Sequence, residues 1–450
     1  MHRRTLLTGA GALAVAPAVV PAARAQGAKT KIVFWHAMGG ANGDQINRIT
    51  QQFNASQNTV ELQSIFKGSY PDTMNAGIAA WRAGQAPHIV QVFDVGTGSM
   101  LAAGPAVKQA WQLVKDTGVK IDFGAYIPSV KAYYSLADGR LPSMPFNSST
   151  PVMWYNKDAF EAAGLDPEKP PATWQEVVSM ARTLKDKWAS KSQDRMAVTT
   201  SWFTWIQLEN FSAEHNLPFA SEDDGYKGLG AVLEINNAGQ VKQMQRLLDM
   251  AKEGTFKYGG RDALPDPLFF TDKAAISFGS SAGRGDIVRN AKFKFGVAEL
   301  PYDPTIIKAP NNTIVGGASL WTMTAPHRTE AEYKAVAEFY RFLGTPEQDA
   351  LWAENTGYVP VTFAGFKFAE KGGYYTKNPG ADMASKSLVR GHLTVNSKGL
   401  RLGRLPEIRN IIYEEIEKAL QGQQNAKQAM DNAVKRGNVV LRGFQRSVQG

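Results

Sequence analysis

Gly279-Ser280-Ser281-Ala282-Gly283 is the segment of this chain with the plainest chemical potential, because it fits the G-x-S-x-G spacing that lifts a serine hydroxyl on a sharp turn. An apolar run over 274–278 precedes it and a helical pattern from Asp286 follows, which is the strand, turn and helix a nucleophile elbow needs. Asp382 and His392 lie downstream in Asp-then-His order, so an exported serine esterase acting through Ser281 is one reading. No His-Gly-Gly-Gly-type oxyanion segment stands upstream, which counts against it. The same residues have a blander use. Small residues between a strand and a helix expose backbone N–H groups and hydroxyls at a positive helix terminus, and phosphate suits such a place. The chain has no H-E-x-x-H, no calcium loop, no Walker A and no G-x-G-x-x-G after a strand. With no cysteine there are no thiolate ligands and no disulfides, and neither a metal nor a cofactor is expected.

The elements that must position these groups alternate. Residues 31–35 read as a strand, 44–54 as a helix, 60–65 as a strand, 70–83 as a helix and 88–93 as a buried strand, which predicts a βαβαβ unit with a parallel sheet. Ligands sit at the carboxyl ends of such strands. Trp35 and His36, Lys67 to Tyr70, and Asp94 to Thr97 all follow strands and should share one edge. Residues 145–160, PFNSSTPVMWYNKDAF, set small hydroxyls before a short β-favouring run at 152–155; Asn156 and Asp158 are turn and cap types, and a helix from Ala159 ends near Gly164. This is how a hinge beside a cleft looks. A Pro-rich connection at 167–171 leads to a helix near Thr173, and residues 408–420 and 425–441 read as helices with apolar stripes that belong to a core.

The N-terminus directs export. Arg3 and Arg4 begin a charged segment, 13–20 is a short apolar run, and Ala23-Arg24-Ala25 is an A-x-A cleavage site, so residues 1–25 read as a signal peptide of the twin-arginine kind. The apolar run falls well short of the ~20 residues that span a bilayer. The remaining length of about 425 residues suits two or three domains. The formal charge of +9 includes three arginines of the leader. Lys and Arg are otherwise spread along the chain, without the stripe that nucleic acid requires, so no nucleic-acid partner is expected.

The 145–160 block resembles the crossover segment of periplasmic solute-binding proteins of ABC importers. Further segments carry the likeness over nearly the whole mature chain: FWHAMGG from Phe34, KGSYPDTMNAGIAAWRAG from Lys67, QVFDVGT from Gln91, WFTWIQLENFSAEHNLPFAS from Trp202, IVGGASLW from Ile314, NTGYVPV from Asn355, KNPGAD from Lys377 and KGLRLGRLPEIR from Lys398. Together they resemble the glycerol-3-phosphate-binding proteins of Ugp-type importers. The resemblance implies an α/β, two-lobed periplasmic binding protein fold, each lobe a mainly parallel sheet flanked by helices, with the ligand cleft at the hinge. The lobes would be 26–147 plus 318–357, and 148–317 plus 358–450. They would close on glycerol 3-phosphate or on glycerophosphodiesters such as glycerophosphocholine, without catalysis. A monomer in the periplasm would pass the ligand to an inner-membrane permease with its ATPase.

By the same resemblance, glycerol-side contacts fall on Tyr70 and Asp94. Phosphate-side contacts fall on Ser149, Ser280, the backbone of Gly317, Tyr358 and Arg409, the last as a bidentate fork. Trp202 and Trp205 match a W-x-x-W pair that packs on the ligand. The chain departs from the pattern at Asp94, where the family carries the longer Glu, which leaves the choice between monoester and diester open. A sugar binder of the same superfamily is the alternative, disfavoured because one carboxylate, an Arg and hydroxyl donors suit phosphate better than a neutral oligosaccharide.

Overall fold

The computed structural model describes residues 28–449, so the leader expected over 1–25 lies outside the described residues. Among them, ten strands make two sheets: β1 (Thr30–His36), β2 (Val60–Phe66), β3 (Ile89–Phe93), β4 (Val107–Lys108), β5 (Met144–Ser149), β6 (Pro151–Asn156), β7 (Met196–Thr200), β8 (Ala274–Ser280), β9 (Phe295–Ala298) and β10 (Gly316–Met323). The first sheet runs β2-β1-β3-β10-β4, with β5 also on β10, and the second runs β7-β8-β6-β9.

The opening βαβαβ is as the hydrophobic pattern predicts. Gly40–Ser56 and Tyr70–Arg82 are helices, and β1 lies parallel to both β2 and β3. Elsewhere the mainly parallel expectation needs correction, because both sheets are mixed. β10 is antiparallel to β3, β4 and β5, and β6 is antiparallel to β8 and β9, leaving β7 with β8 as the parallel pair of the second sheet. A parallel neighbour is enforced by a crossover helix returning to the same sheet. Here β6 and β10 are instead entered, and β5 left, by chain that passes between the sheets.

Those passages lie side by side. Thr150 alone separates β5 from β6, and its hydroxyl bonds Thr313 Oγ1 at 2.5 Å and the Ile314 carbonyl at 3.3 Å. The Val359 N–H donates to the Ser148 carbonyl at 2.8 Å, which brings a third strand of chain to the same point. The breaks expected after Asn147 and after Gly317 fall inside β5 and β10, where Gly316 pairs with Ser149 and Gly317 with Ser148. Hydrophobic patterning marks where strands are, and pairing partners decide which sheet owns their last residues.

The 145–160 block ends as its residue types require. The Asn156 side chain accepts from the Ala159 N–H at 2.9 Å to cap the helix Lys157–Ala163, and Gly164 stops it at φ 77°. Asn156 is buried and its amide also donates to Asp272 Oδ1 at 2.7 Å. Asn156→Ala should therefore cost about 1–2 kcal/mol, at the upper end for a lost N-cap; urea unfolding would measure it, and a loss below about 0.5 kcal/mol would show the cap to be dispensable. The C-terminal helices Leu405–Leu420 and Ala426–Gln449 bury Ile408, Ile412 and Ile416 against Met430 and Ala433 in the core that holds Phe203 and Phe278. The last helix runs eight residues beyond the expected 441, because the apolar stripe continues to the buried Phe444, and only its final turn from Arg446 is exposed throughout. Among the described residues no helix is long and apolar enough to cross a membrane.

Candidate functional site

A cavity of about 190 Å³ opens between the two sheets at the hinge, and all nine residues expected at a ligand site line it: Tyr70, Asp94, Ser149, Trp202, Trp205, Ser280, Gly317, Tyr358 and Arg409. Strand ends place the first of them. Tyr70 opens its helix because Ser69 and Asp72 cap it reciprocally, and its ring stacks on Phe93 at the end of β3, centroids 5.5 Å apart and planes 3° from parallel. Asp94 is the next residue. His36 and Lys67 follow strands too but stay off the cavity: His36 is buried, and Lys67 lies over the Trp35 ring at 4.0 Å.

A buried amide chain holds Tyr70. The Ala37 N–H donates to Gln91 Oε1 at 2.8 Å, Gln91 Nε2 to Asn147 Oδ1 at 2.8 Å, and Asn147 Nδ2 to the Tyr70 hydroxyl at 2.8 Å. The Tyr358 hydroxyl is 3.4 Å from that of Tyr70. Burial pushes both phenols above their ordinary range, so each stays a neutral hydroxyl able to donate. Gln91 and Asn147 do not follow from residue type alone, although Asn147 sits within the hinge segment that draws attention.

The tryptophan wall comes from distorted backbone. Trp202 holds φ 46°, uncommon for a bulky side chain, and Thr204–Asn210 is wound as a π-helix, a form that recurs at functional sites. Trp205 is buried with its ring against Gly316, where a Cβ would come within 2.4 Å of the indole, and its N–H has no hydrogen-bond partner. The Ser280 hydroxyl accepts from the Ala282 N–H at 3.2 Å and keeps its own proton to donate.

Arg409 departs from expectation. Its Nε and Nη2 donate to the two oxygens of Glu209, each at 2.7 Å, and Nη2 is also 3.6 Å from Asp94 Oδ2. One edge of the fork is thus committed to a buried carboxylate, and a ligand meets only the edge that faces Asp94. Asp94 and Arg409, expected at opposite ends of a ligand, are neighbours. Burial pushes the Asp94 carboxyl up to about 7 against the pull of Arg409. Burial works against the charge of Arg409, and Glu209 more than offsets it, leaving the guanidinium firmly protonated.

The nucleophile elbow does not assemble. Ser281 is buried off the cavity, its oxygen accepting from the Thr150 N–H at 3.4 Å, while Asp382 pairs with Lys386 at 2.5 Å. His392 is exposed, and among the described residues no histidine bonds Ser281. The helix after the turn, Arg284–Asn290, is only seven residues long and carries Asp286 in its first turn, so it offers less to an anion than the small-residue pattern suggests.

Residues 48–364 match the family described as bacterial extracellular solute-binding protein. The chain is 43% identical to the sn-glycerol-3-phosphate-binding periplasmic protein UgpB of Pectobacterium atrosepticum, over 94% of each chain, and 44% identical to that of Rhizobium meliloti, over 92% of this chain and 94% of the relative. Among solved structures, UgpB from Mycobacterium tuberculosis in complex with glycerophosphocholine superposes with a TM-score of 0.76 at 22% identity, covering 93% of this chain and all of that one. The cyclic alpha-maltosyl-1,6-maltose binding protein of Arthrobacter globiformis gives 0.72 at 21%, covering 92% and 100%. At such identities the two structures speak for the fold.

Proposed function

This chain belongs to the bacterial extracellular solute-binding proteins, and from that premise we propose that it is the periplasmic substrate-binding component of an ABC importer, capturing sn-glycerol 3-phosphate and glycerophosphodiesters. It binds and does not catalyse. The observation that carries the reading is the one cavity onto which all nine residues of the family likeness open.

In this reading Ser149, Ser280, Tyr358 and the Gly317 backbone take phosphate oxygens, and Arg409 adds charge through the edge that Glu209 leaves free. Tyr70 and Asp94 take the glycerol hydroxyls, a carboxylate accepting two hydrogen bonds from a diol. Trp202 and Trp205 close over the carbon chain. Residues 26–147 with 318–357, and 148–317 with 358–450, act as lobes moving about the Thr150 hinge, with the limits two residues adrift of the strand ends. Ligand bridges them and favours the closed form, which a monomer presents to the permease and its ATPase.

Calorimetric titration of the mature protein with glycerol 3-phosphate, glycerophosphocholine and maltose tests this. Saturable glycerophosphate binding, with no heat from maltose and no hydrolysis of the ligand, is expected. Maltose binding more tightly than either glycerophosphate would replace the reading with a sugar importer.

A further inference from the structure

The cavity carries more negative charge than a phosphate needs. Besides Asp94, the carboxylates of Asp266 and Asp286 line it, and Arg409 is its one lining cation among the described residues. Arg409 already faces Glu209 and Asp94. Burial pushes the Asp266 carboxyl up to about 6 against a hydrogen bond from Ser201, and the charge of Asp286 adds to the rise. Asp266 and Asp286 therefore share this cavity, and among the described residues neither has an ion-pair partner.

Such a lining repels a dianionic phosphate monoester. It would be neutralised by a ligand that brings its own cation. The neighbouring lining is aromatic: half-buried Trp202 spans this cavity and the wider groove of about 1320 Å³ beside it, which also holds Ala263 and Arg409. An indole face attracts an ammonium group, and carboxylates nearby strengthen the attraction. The phosphate contacts proposed above, Ser149, Ser280, Tyr358 and Arg409, line the same space, so the anion and the cation of one ligand would meet different residues. In a diester of glycerol phosphate with an amino alcohol, two carbons separate the ester oxygen from the cation. That spacing suits adjoining walls of a single small cavity.

We propose that Asp266 and Asp286, with Trp202, form a subsite for the cationic alcohol of a zwitterionic glycerophosphodiester, and that the chain prefers choline and ethanolamine diesters to glycerol 3-phosphate. The inference rests on the glycerophosphate reading above and adds a direction of preference within it.

Titrations of the full mature chain with glycerophosphocholine, glycerophosphoglycerol and glycerol 3-phosphate test it, first on the wild type and then on Asp286→Asn. Asp286 is exposed, so its replacement leaves the fold intact, and the thermal midpoint would verify this. The wild type should bind the choline diester about tenfold more tightly than the neutral diester. Asp286→Asn should weaken the choline diester about three- to tenfold and tighten glycerol 3-phosphate, and Asp266→Asn with Asp286→Asn should widen both changes. Opposite movement of the two ligands is the signature that a merely structural effect would not give. Equal affinity for choline and glycerol diesters, or parallel movement of all ligands in the variants, overturns the subsite while leaving the glycerophosphate reading in place. No glycerophosphate binding by the wild type removes both.

Discussion

Arg409→Ala will lose glycerophosphate binding by about 100-fold or more, the effect expected when a buried, hydrogen-bonded charge is removed from a binding site. It will also unfold more easily, because the guanidinium is the counter-charge to two buried carboxylates. Glu209 has a side chain with no exposure and Asp94 one with 6%, so truncation strands both. Breaking a buried pair by removing one partner costs about 3–5 kcal/mol. Most of that should come from Glu209, since Asp94, already pushed up to about 7, takes a proton at little cost near neutral pH. A double variant separates the two roles. Arg409→Met with Glu209→Leu removes charge and counter-charge together, and such replacements are often neutral in stability. It should recover most of the lost stability and none of the affinity, as read by urea unfolding and calorimetry on the same samples. Full affinity in Arg409→Ala would remove Arg409 from the phosphate site.

The Arg409 geometry marks how far residue types lead. That Arg409 lines the cavity is expected from the likeness of the LPEIR segment, and that Tyr70 and Asp94 share an edge follows from strand ends, where a local cap or turn ties them in position. Glu209 is 200 positions from its partner and sits on the π-helix, where the extra residue per turn breaks the 3.6-residue period used to tell inward faces from outward ones. A carboxylate inside the run Trp205-Ile206-Gln207-Leu208-Glu209 is the one signal available. Asp266 and Asp286 give no signal, because acidic residues at helix starts are ordinarily solvated caps. The direction of β10 was likewise illegible: alternation of apolar residues marks a strand without saying which way its neighbour runs. The sheet it joins comes from contacts remote in sequence.

Gly317→Ala should be the most damaging small change in the chain. Gly317 has φ +94°, and a Cβ there would sit 1.8 Å from the Asn147 carbonyl oxygen, in the paired backbone of β10 and β5. No rotamer relieves a clash with backbone, so β5 must move away from β10. Asn147, which holds the Tyr70 hydroxyl, Ser148, whose carbonyl takes the Val359 N–H, and Ser149, which lines the cavity, would move with it. Strain at positive φ with overpacking should cost about 3 kcal/mol or more, and glycerophosphate binding should vanish. Gly316→Ala next door provides the control. Its Cβ would meet the Trp205 ring at 2.4 Å, and a side chain can turn aside where a backbone oxygen cannot. That variant should keep most of its stability and lose affinity through a displaced Trp205. Similar unfolding curves for the two variants would mean that the β5–β10 seam yields easily, and the hinge would then have to be sought in the Thr150 passage alone.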